Sequence, residues 1–249
     1  MRAWTIRPLH VGTLHRKRCE FLWRDRDVAP FDAPVIMYLL ESAGERVLVD
    51  SGCSDPAHAH PEHHPFSRPP EQHPVAVLAA LGVAPGDVTL VINTHLHWDH
   101  CSGNEHFAGA RMLVQREELR YAVAPLPWNV RSYSPPAPGE MPPWARGSFE
   151  PLDGEAGPRD GLRIIPTPGH TPGSQSLVVD THEGRYVLAG DNVPLYDNWN
   201  GRGAAWPFIP NENHYDLSAY ARSMQTLREL GAPVIPSHDM RVFAREVYG

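Results

Sequence analysis

The sequence has little of the features that mark exported, membrane-spanning or disulfide-stabilised proteins. Its three cysteines, Cys19, Cys53 and Cys101, are too few for a disulfide framework and are typical of a reducing compartment. No stretch approaches the ~20 consecutive apolar residues of a membrane helix, and the N-terminus has no apolar core of signal-peptide length. These absences predict a cytoplasmic protein with no membrane partner.

An excess of basic charge is also missing. The 22 Lys and Arg residues are outnumbered by 29 Asp and Glu residues, and the formal net charge is −7. An acidic chain without a basic stripe repels the phosphate backbone, so we expect no nucleic-acid partner. The 249 residues, 41% of them hydrophobic, are enough for one large domain or two small ones.

What the chain does have is a dense run of metal-ligating side chains. The run NTHLHWDH places His95, His97, Asp99 and His100 directly after the predicted strand Thr89–Asn93. On such a loop the first two histidines alternate onto one side, whereas Asp99 and His100 can turn toward a second point. Three imidazoles and a carboxylate among apolar residues are costly to bury without a metal. The run therefore predicts a metal site, with a geometry that suits two adjacent ions.

The rest of the sequence predicts an α/β protein with more strands than helices. Strands are predicted at Pro34–Leu40, Arg46–Asp50, Thr89–Asn93, Arg111–Gln115, Leu162–Pro166, Ser174–Val179, Tyr186–Ala189 and Pro233–Pro236. Helices are predicted at His73–Leu81, Arg116–Val123 and Asp216–Leu230. The last has Asp216 as a good N-cap and an apolar stripe that indicates core packing.

Three segments do not fit regular structure. Pro125–Gly147 contains seven prolines, and Trp199–Phe208 is rich in glycine and aromatic residues. Either segment could be a surface loop, or the two could form a lid or pocket wall. Ala57–Pro65 holds four histidines, and we interpret it as an exposed loop, with weak metal binding as the alternative. Cys101 is interpreted as a small buried residue beside the metal site, rather than as a ligand.

Three later positions continue the ligand pattern. His170 lies in the tight loop TPGHTPG, Asp191 ends the segment LAGD, and His238 lies in PSHD. Each follows a predicted strand, where α/β proteins commonly place functional groups. Each offers a nitrogen or oxygen ligand that zinc, iron, manganese or cobalt accepts.

The segments THLHWDH, TPGHTPG, LAGD and PSHD, preceded by LVDSG at Leu48–Gly52, closely resemble the metallo-β-lactamase superfamily. The resemblance runs to His238 and covers nearly the whole chain. It implies a single hydrolase domain over residues 1–249. The implied fold is an αββα sandwich with the metal site at the edge between the two sheets.

The resemblance also implies a role for each ligand-type residue. The ligands of the first metal ion would be His95, His97 and His170. The ligands of the second would be Asp99, His100 and His238. Asp191 would bridge the two ions, and Asp50 would orient the ligand loops or be a strand-end turn residue. The implied cofactors are two divalent ions, with zinc favoured and manganese, cobalt or iron as alternatives.

Within the superfamily, the segments GDNVPLYDN and PSHDMRVF are similar to the N-acyl homoserine lactonase group. In that group a metal-bridging hydroxide opens the lactone ring, and the carboxylate at the Asp99 position can pass a proton to the leaving alkoxide. A tyrosine three residues after the bridging aspartate usually binds the substrate carbonyl. Pro194 stands there in this chain, so Tyr196 is the predicted catalytic phenol, with a pocket-wall role as the alternative. The expected substrate is an acyl homoserine lactone or, because of this departure and the aromatic segment Trp199–Phe208, a bulkier or aromatic lactone.

Three other functions remain open from the sequence. The first is hydrolysis of another bond, such as an aryl ester, phosphotriester or amide. The second is an iron-dependent reaction like that of the persulfide dioxygenases, which use one iron held by two His and one Asp. The third is metal binding without catalysis. The partner is expected to be a small molecule, and Thr13–Asp27 could contribute to a homodimer contact.

Overall fold

The computed structural model describes residues 2–58, 63, 65–134 and 139–249. Two β-sheets lie face to face. The strands of the first sheet are β1 (Thr5–Lys17), β2 (Pro30–Ser42), β3 (Glu45–Val49), β4 (Phe66–Ser67), β5 (Val88–Ile92), β6 (Arg111–Gln115) and β7 (Phe149–Leu152). Their order across the sheet is β4-β1-β2-β3-β5-β6-β7, with parallel pairing from β3 through β7.

The second sheet has five strands. They are β8 (Ala156–Arg159), β9 (Leu162–Pro166), β10 (Gln175–Thr181), β11 (Gly184–Leu188) and β12 (Val234–Ile235). Their order is β12-β11-β10-β9-β8, and only β11 and β12 pair in parallel. The helices are α1 (Pro74–Ala80), α2 (Trp98–Cys101), α3 (Arg116–Val123), α4 (Val130–Tyr133), α5 (Tyr196–Asn200) and α6 (Leu217–Glu229).

Alternating side chains on the strands divide the core into layers. On β10, Leu177 and Val179 pack toward the first sheet, whereas Val178 packs against Met224 and Leu227 of α6. This alternation is the period of two that a pleated strand imposes. Helix α1 covers the outer face of the first sheet in the same way, through the fully buried Leu78. The layers are therefore helix, sheet, sheet, helix, and the predicted αββα sandwich is confirmed.

The two sheets place the ends of several strands at one edge. Strands β3 and β5 are parallel, so the residues that follow them, Asp50 and the loop of His95, emerge on the same side. In the second sheet β11 and β12 are parallel, and Asp191 and His238 follow them. Carboxyl ends of parallel strands are the usual place for a binding site in open α/β sheets.

The N-terminal strand is the main element absent from the sequence-based assignment. Thr13–Lys17, which we considered as part of a dimer contact, is the end of β1 and pairs with β2 inside one chain. The strand contains Pro8 and Gly12, and its register shifts between His10 and Thr13. Such a bulge breaks the alternation by which a strand is recognised. No helix of the described residues has the length and apolar character needed to cross a membrane.

Candidate metal centre

The predicted ligands converge at the edge where the two sheets meet. His95, His97, Asp99 and His100 follow β5 of the first sheet, and the other three lie after strands β9, β11 and β12 of the second. All seven are buried, with exposed fractions from 0% for His95 to 9% for Asp99 and Asp191. The fold therefore removes from water a set of polar side chains drawn from both sheets.

The ligand atoms fall into three overlapping groups. Within each group the atoms lie within 4.8 Å of one another. The groups are His95 with His97 and His170, His95 with His100 and Asp191, and Asp99 with His100 and His238. The first and third groups contain the same residues that the family resemblance assigned to two separate ions.

Asp191 lies between the other ligands. Its Oδ1 is 3.2 Å from Nε2 of His100 and 3.1 Å from Nε2 of His238. Its Oδ2 is 3.4 Å from Nε2 of His170. Ser237 donates a hydrogen bond of 2.7 Å to Oδ1 and so helps to fix the carboxylate. Each oxygen thus faces a different half of the ligand set.

Two nitrogen atoms of the cluster show that the residues fit a metal. Nε2 of His95 and Nε2 of His97 are buried and have no hydrogen-bond partner among the described residues. A buried polar atom without a partner costs about 1–3 kcal/mol. A metal ion would satisfy both nitrogens, because neutral imidazole is a common ligand of zinc and related metals.

The local electrostatics also suit cation binding. Burial lowers the pKa of His95 and His97 well below its ordinary value, and neighbouring histidines lower it further. Burial opposes the charged form of His100 as well, but Asp191, Asp99 and Asp50 outweigh it and raise the pKa. The carboxylates thus stabilise positive charge at the centre of a buried cluster.

Asp50 holds the histidine loop in place. Its Oδ2 is 2.8 Å from Nδ1 of His100, and Thr94 donates from its backbone N to Oδ1 at 2.7 Å and from its hydroxyl to Oδ2 at 2.8 Å. Asp50 has a φ of 58°, an uncommon value for a residue other than glycine. Strained backbone of this kind is typical of functional sites, and these contacts support the orienting role over that of a simple turn residue.

Two other histidines are oriented through backbone carbonyls. Nδ1 of His170 is 2.6 Å from the carbonyl oxygen of Asn213, and Nδ1 of His238 is 2.9 Å from that of Pro34. Because the carbonyl can only accept, Nδ1 donates and Nε2 is left as the lone-pair nitrogen. Nε2 is the atom that faces Asp191 in both cases.

A narrow pocket opens above the cluster. The N-terminal segment supplies Leu14, Arg16, Glu20 and Phe21, and later segments supply Trp98, Ser132, Asn211 and Asn213. The ring centroids of Phe21 and His238 are 5.9 Å apart. Sequence reasoning assigned none of these four N-terminal residues to the site, since neither strand β1 nor the turn that follows it was recognised.

Tyr196, the predicted catalytic phenol, lies among C-terminal residues in the structure. Its backbone N donates to Asp239, Arg241 lies 5.2 Å from its ring centroid, and its phenol interacts with Tyr248. Tyr196 is partly buried against the core between the sheets and does not line the pocket above the cluster. The physical reason is local: α5 begins at Tyr196, and its first residue turns toward the C-terminal segment.

The Trp199–Phe208 segment does not line the pocket. It contacts the turn that contains Phe21, and Phe21 does line the pocket. Arg202 forms an ion pair with Asp25, and the rings of Trp206 and Trp23 lie 5.9 Å apart. Just before the segment, the side-chain amide of Asn198 donates a hydrogen bond of 2.8 Å to the carbonyl oxygen of Phe21. The segment therefore supports residues of the pocket wall without lining the pocket itself.

The Pro125–Gly147 segment contributes to the site directly. Ser132 lines the pocket, and the ring of Tyr133 lies 4.8 Å from the ring of His97. Trp144 donates to the carbonyl of Tyr133 at 3.1 Å. Residues 135–138 lie outside the described part of the chain.

In the histidine tract at residues 57–65, the described residues Ala57 and Pro65 are exposed as expected, whereas His63 is not. His63 is buried and stacks on Trp98, with ring centroids 4.5 Å apart and planes 7° apart. His60 and His64 lie outside the described residues, as does the side chain of His58. Cys101 is buried beside the site as expected, and its thiol donates to the carbonyl of Leu96.

A sequence model of the metallo-β-lactamase superfamily matches residues 32–238. The chain belongs to this superfamily. Several curated relatives of this metallo-hydrolase are named N-acyl homoserine lactonase. The protein of Bacillus cereus is 29% identical over 218 residues, covering 83% of this chain and 82% of the relative. AttM of Azorhizobium caulinodans is 28% identical, covering 93% and 91%.

Solved structures agree on the fold. The structure of AiiA from B. thuringiensis matches with a TM-score of 0.80 and covers 98% of this chain and 96% of that one. The sequence identity is 23%, so this likeness shows the metallo-β-lactamase fold. The buried His and Asp groups of this superfamily member could bind metal.

Proposed function

We propose that the protein is a dinuclear metal-dependent hydrolase that opens a lactone ring. The observation that carries the proposal is the position of Asp191, whose two oxygens face separate groups of ligand atoms. The names of the relatives, N-acyl homoserine lactonase, support a lactone substrate. A structural neighbour is described as holding N-hexanoyl-L-homoserine at its catalytic metal centre, which supports the same reaction.

The proposed ligands divide into two sets with Asp191 as the bridge. One set is His95, His97 and His170, and the other is Asp99, His100 and His238. Imidazole and carboxylate ligands are accepted by zinc, manganese, cobalt and iron, and zinc is the ion that we favour. When bound, such ions lower the pKa of water toward neutrality and polarise a carbonyl group.

Asp99 is the residue that we assign to proton transfer. It lines the pocket, and its Oδ2 lies 3.8 Å from Nε2 of both His100 and His238. When water adds to the lactone carbonyl, the ring C–O bond breaks and the alkoxide oxygen needs a proton. Asp99 would receive a proton from the attacking water and pass it to that oxygen, giving a hydroxy acid whose carboxyl group then ionises.

The pocket wall favours compact or polar lactones. Arg16 pairs with Glu20 at the wall, and its guanidinium lies 5.4 Å from the ring centroid of Phe21. An ion pair is a poor surface for a long apolar chain, because contact with the chain would remove water from charged groups. The large aromatic side chains of the Trp199–Phe208 segment do not reach the pocket. The aromatic residues of that segment therefore do not themselves support a bulky aromatic substrate.

A panel of lactones tests this proposal. Protein with measured metal content would be assayed by proton release on short- and long-chain acyl homoserine lactones, simple γ- and δ-lactones, aromatic lactones and a phenyl ester. We expect turnover of small lactones with about two metal ions per chain. Turnover of the phenyl ester alone would instead favour a different hydrolase. Oxygen uptake on a persulfide with one iron per chain would favour the dioxygenase reaction.

A further inference from the structure

A fully buried carboxylate lies behind the metal cluster and takes no part in the proposed ligand set. Glu118 projects from α3 and is 0% exposed. Four donors surround it. Oε1 accepts from the backbone N of Leu96 at 3.0 Å and from the hydroxyl of Tyr133 at 2.8 Å. Oε2 accepts from the hydroxyl of Thr171 at 2.6 Å and from the backbone N of Gly173 at 3.2 Å.

These partners belong to the segments that carry the first ligand group. Leu96 lies between His95 and His97, and Thr171 directly follows His170. The ring of Tyr133 packs edge-on against His97 with 4.8 Å between ring centroids. One carboxylate therefore joins the loop from the first sheet to the loop from the second sheet.

The close approach of the second loop to α3 requires glycine. A Cβ atom added to Gly173 would lie 2.2 Å from the backbone N of Glu118 and 2.4 Å from its Cβ. Any side chain at this position would push the loop of His170 away from the helix. The close packing of the His170 loop against α3 therefore depends on both Gly173 and the Glu118 carboxylate.

The four donors explain why the residue is a glutamate. An ionised carboxylate has acceptor sites for four hydrogen bonds, whereas a glutamine amide would point an NH₂ group at one pair of donors. The backbone N–H groups of Leu96 and Gly173 cannot reverse their roles. Burial raises the pKa of Glu118, and the hydrogen bonds from Thr171, Leu96, Tyr133 and Gly173 act against that rise.

We propose that Glu118 is a positioning residue that sets the separation of His97 and His170 and thereby the metal affinity of the His95, His97 and His170 group. Nε2 of His170 and Nδ1 of His97 are 3.1 Å apart in this arrangement. Asp50 has the corresponding position behind His100, in the other half of the site. The inference rests on the proposed function for the assignment of this group to one metal ion.

The test compares Glu118→Gln with Glu117→Gln. Glu117 is the preceding residue on α3, its side chain is 59% exposed, and it contacts only Arg120 among the described ion pairs. The apo proteins would be titrated with Co²⁺, followed by visible absorption, and checked by circular dichroism. We expect Glu118→Gln to bind one of two equivalents about 10–100-fold more weakly and to alter its spectrum. Glu117→Gln should titrate like the wild type.

Activity provides a second readout once a substrate is known. Glu118 does not line the pocket, so kcat should fall while KM changes less than kcat. Glu118→Asp keeps the charge but is shorter by one methylene, and should recover part of the Co²⁺ affinity. Two Co²⁺ equivalents with wild-type affinity and spectrum in Glu118→Gln would overturn the proposal.

Two milder variants keep the test decisive if Glu118→Gln does not fold. Tyr133→Phe and Thr171→Val each remove one donor to the carboxylate and should weaken the same equivalent by a smaller factor. Wild-type titrations in both would count against the role of Glu118. Because Co²⁺ binding needs no substrate, failure of the lactonase assay would leave this result interpretable.

Discussion

At the scale of single residues, Asp191 lies between the two halves of the proposed ligand set. Asp191→Asn keeps the shape of the side chain but removes its charge and one of its two acceptor oxygens. Because the two oxygens face different ligand groups, we expect the variant to lose about one metal equivalent and at least ~100-fold in kcat/KM. Metal analysis and steady-state turnover measure both effects.

The control is Asp153→Asn, the same chemical change at a side chain that is 68% exposed and pairs with Arg116. An exposed ion pair contributes little to stability. The control should keep both metal equivalents and full activity. Wild-type metal content and turnover in Asp191→Asn would remove the bridging role.

For Tyr196, in contrast, we expect substitution to have little effect on activity. Its ring lies under Arg241 and beside Tyr248, away from the pocket. We therefore expect Tyr196→Phe to retain kcat and KM within about twofold, since Tyr196 does not line the pocket above the cluster. A fall of kcat by two orders of magnitude, with unchanged thermal stability, would support the catalytic role that the family resemblance implied.

At the scale of elements, the Trp199–Phe208 segment should affect the substrate more than the metal. Trp206 packs against Trp23, which lies in the turn after the pocket residue Phe21. The backbone N of Trp23 donates a hydrogen bond of 2.9 Å to the carbonyl oxygen of Pro210. Trp206→Ala removes this support, so the wall should loosen and KM should rise several-fold while metal content stays constant. Steady-state kinetics on the preferred lactone, with parallel metal analysis, measures the split.

Trp128→Ala is the matched control for this prediction. Trp128 is 69% exposed and lies in a separate surface depression with Pro125 and Pro127. The same change of side chain there should leave KM unaltered. If the two substitutions changed KM equally, the cause would be a general loss of stability and not the loss of support for the pocket wall by Trp206.

Elements with regular hydrophobic patterns could be predicted from the sequence. Helix α3 has the predicted bounds Arg116–Val123, and the helix predicted at Asp216–Leu230 is observed as Leu217–Glu229 with Asp216 as its cap. Local alternation and capping fix such elements. Strand β1 was missed because its bulge interrupts that alternation.

The site could be predicted only where sequence position determines geometry. The seven ligand-type residues come together because each follows a strand whose end lies at one edge. The direction of Tyr196 depends on how α5 begins, which no spacing specifies. Glu118 was missed because its partners are up to 55 residues away in the chain. A glutamate in the buried stripe of α3 was the one available signal, since an ionisable residue there needs partners.

At the scale of the whole molecule, the proposed metal ions would connect the two sheets. Four ligands follow a strand of the first sheet and three follow strands of the second, and the segments between them pack as one sandwich. A ligand that binds only the folded state stabilises it by RT ln(1 + [L]/Kd), about 4 kcal/mol at a thousandfold excess over Kd. For a chain of this size that corresponds to a Tm higher by roughly 10 °C.

We therefore predict that chelation lowers the Tm of the entire protein and that added Zn²⁺ restores it. Differential scanning calorimetry of metal-loaded and chelated protein provides the measurement. Since the proposed ligands come from both sheets, the expected curve is a single transition that moves as a unit, as the predicted single domain over residues 1–249 would also require. If one part of the curve shifted and another stayed in place, the sheets would be unfolding independently. If the Tm did not change, the buried cluster would be stable without the ion. The unpartnered nitrogens of His95 and His97 would then have to be compensated by other interactions within the protein.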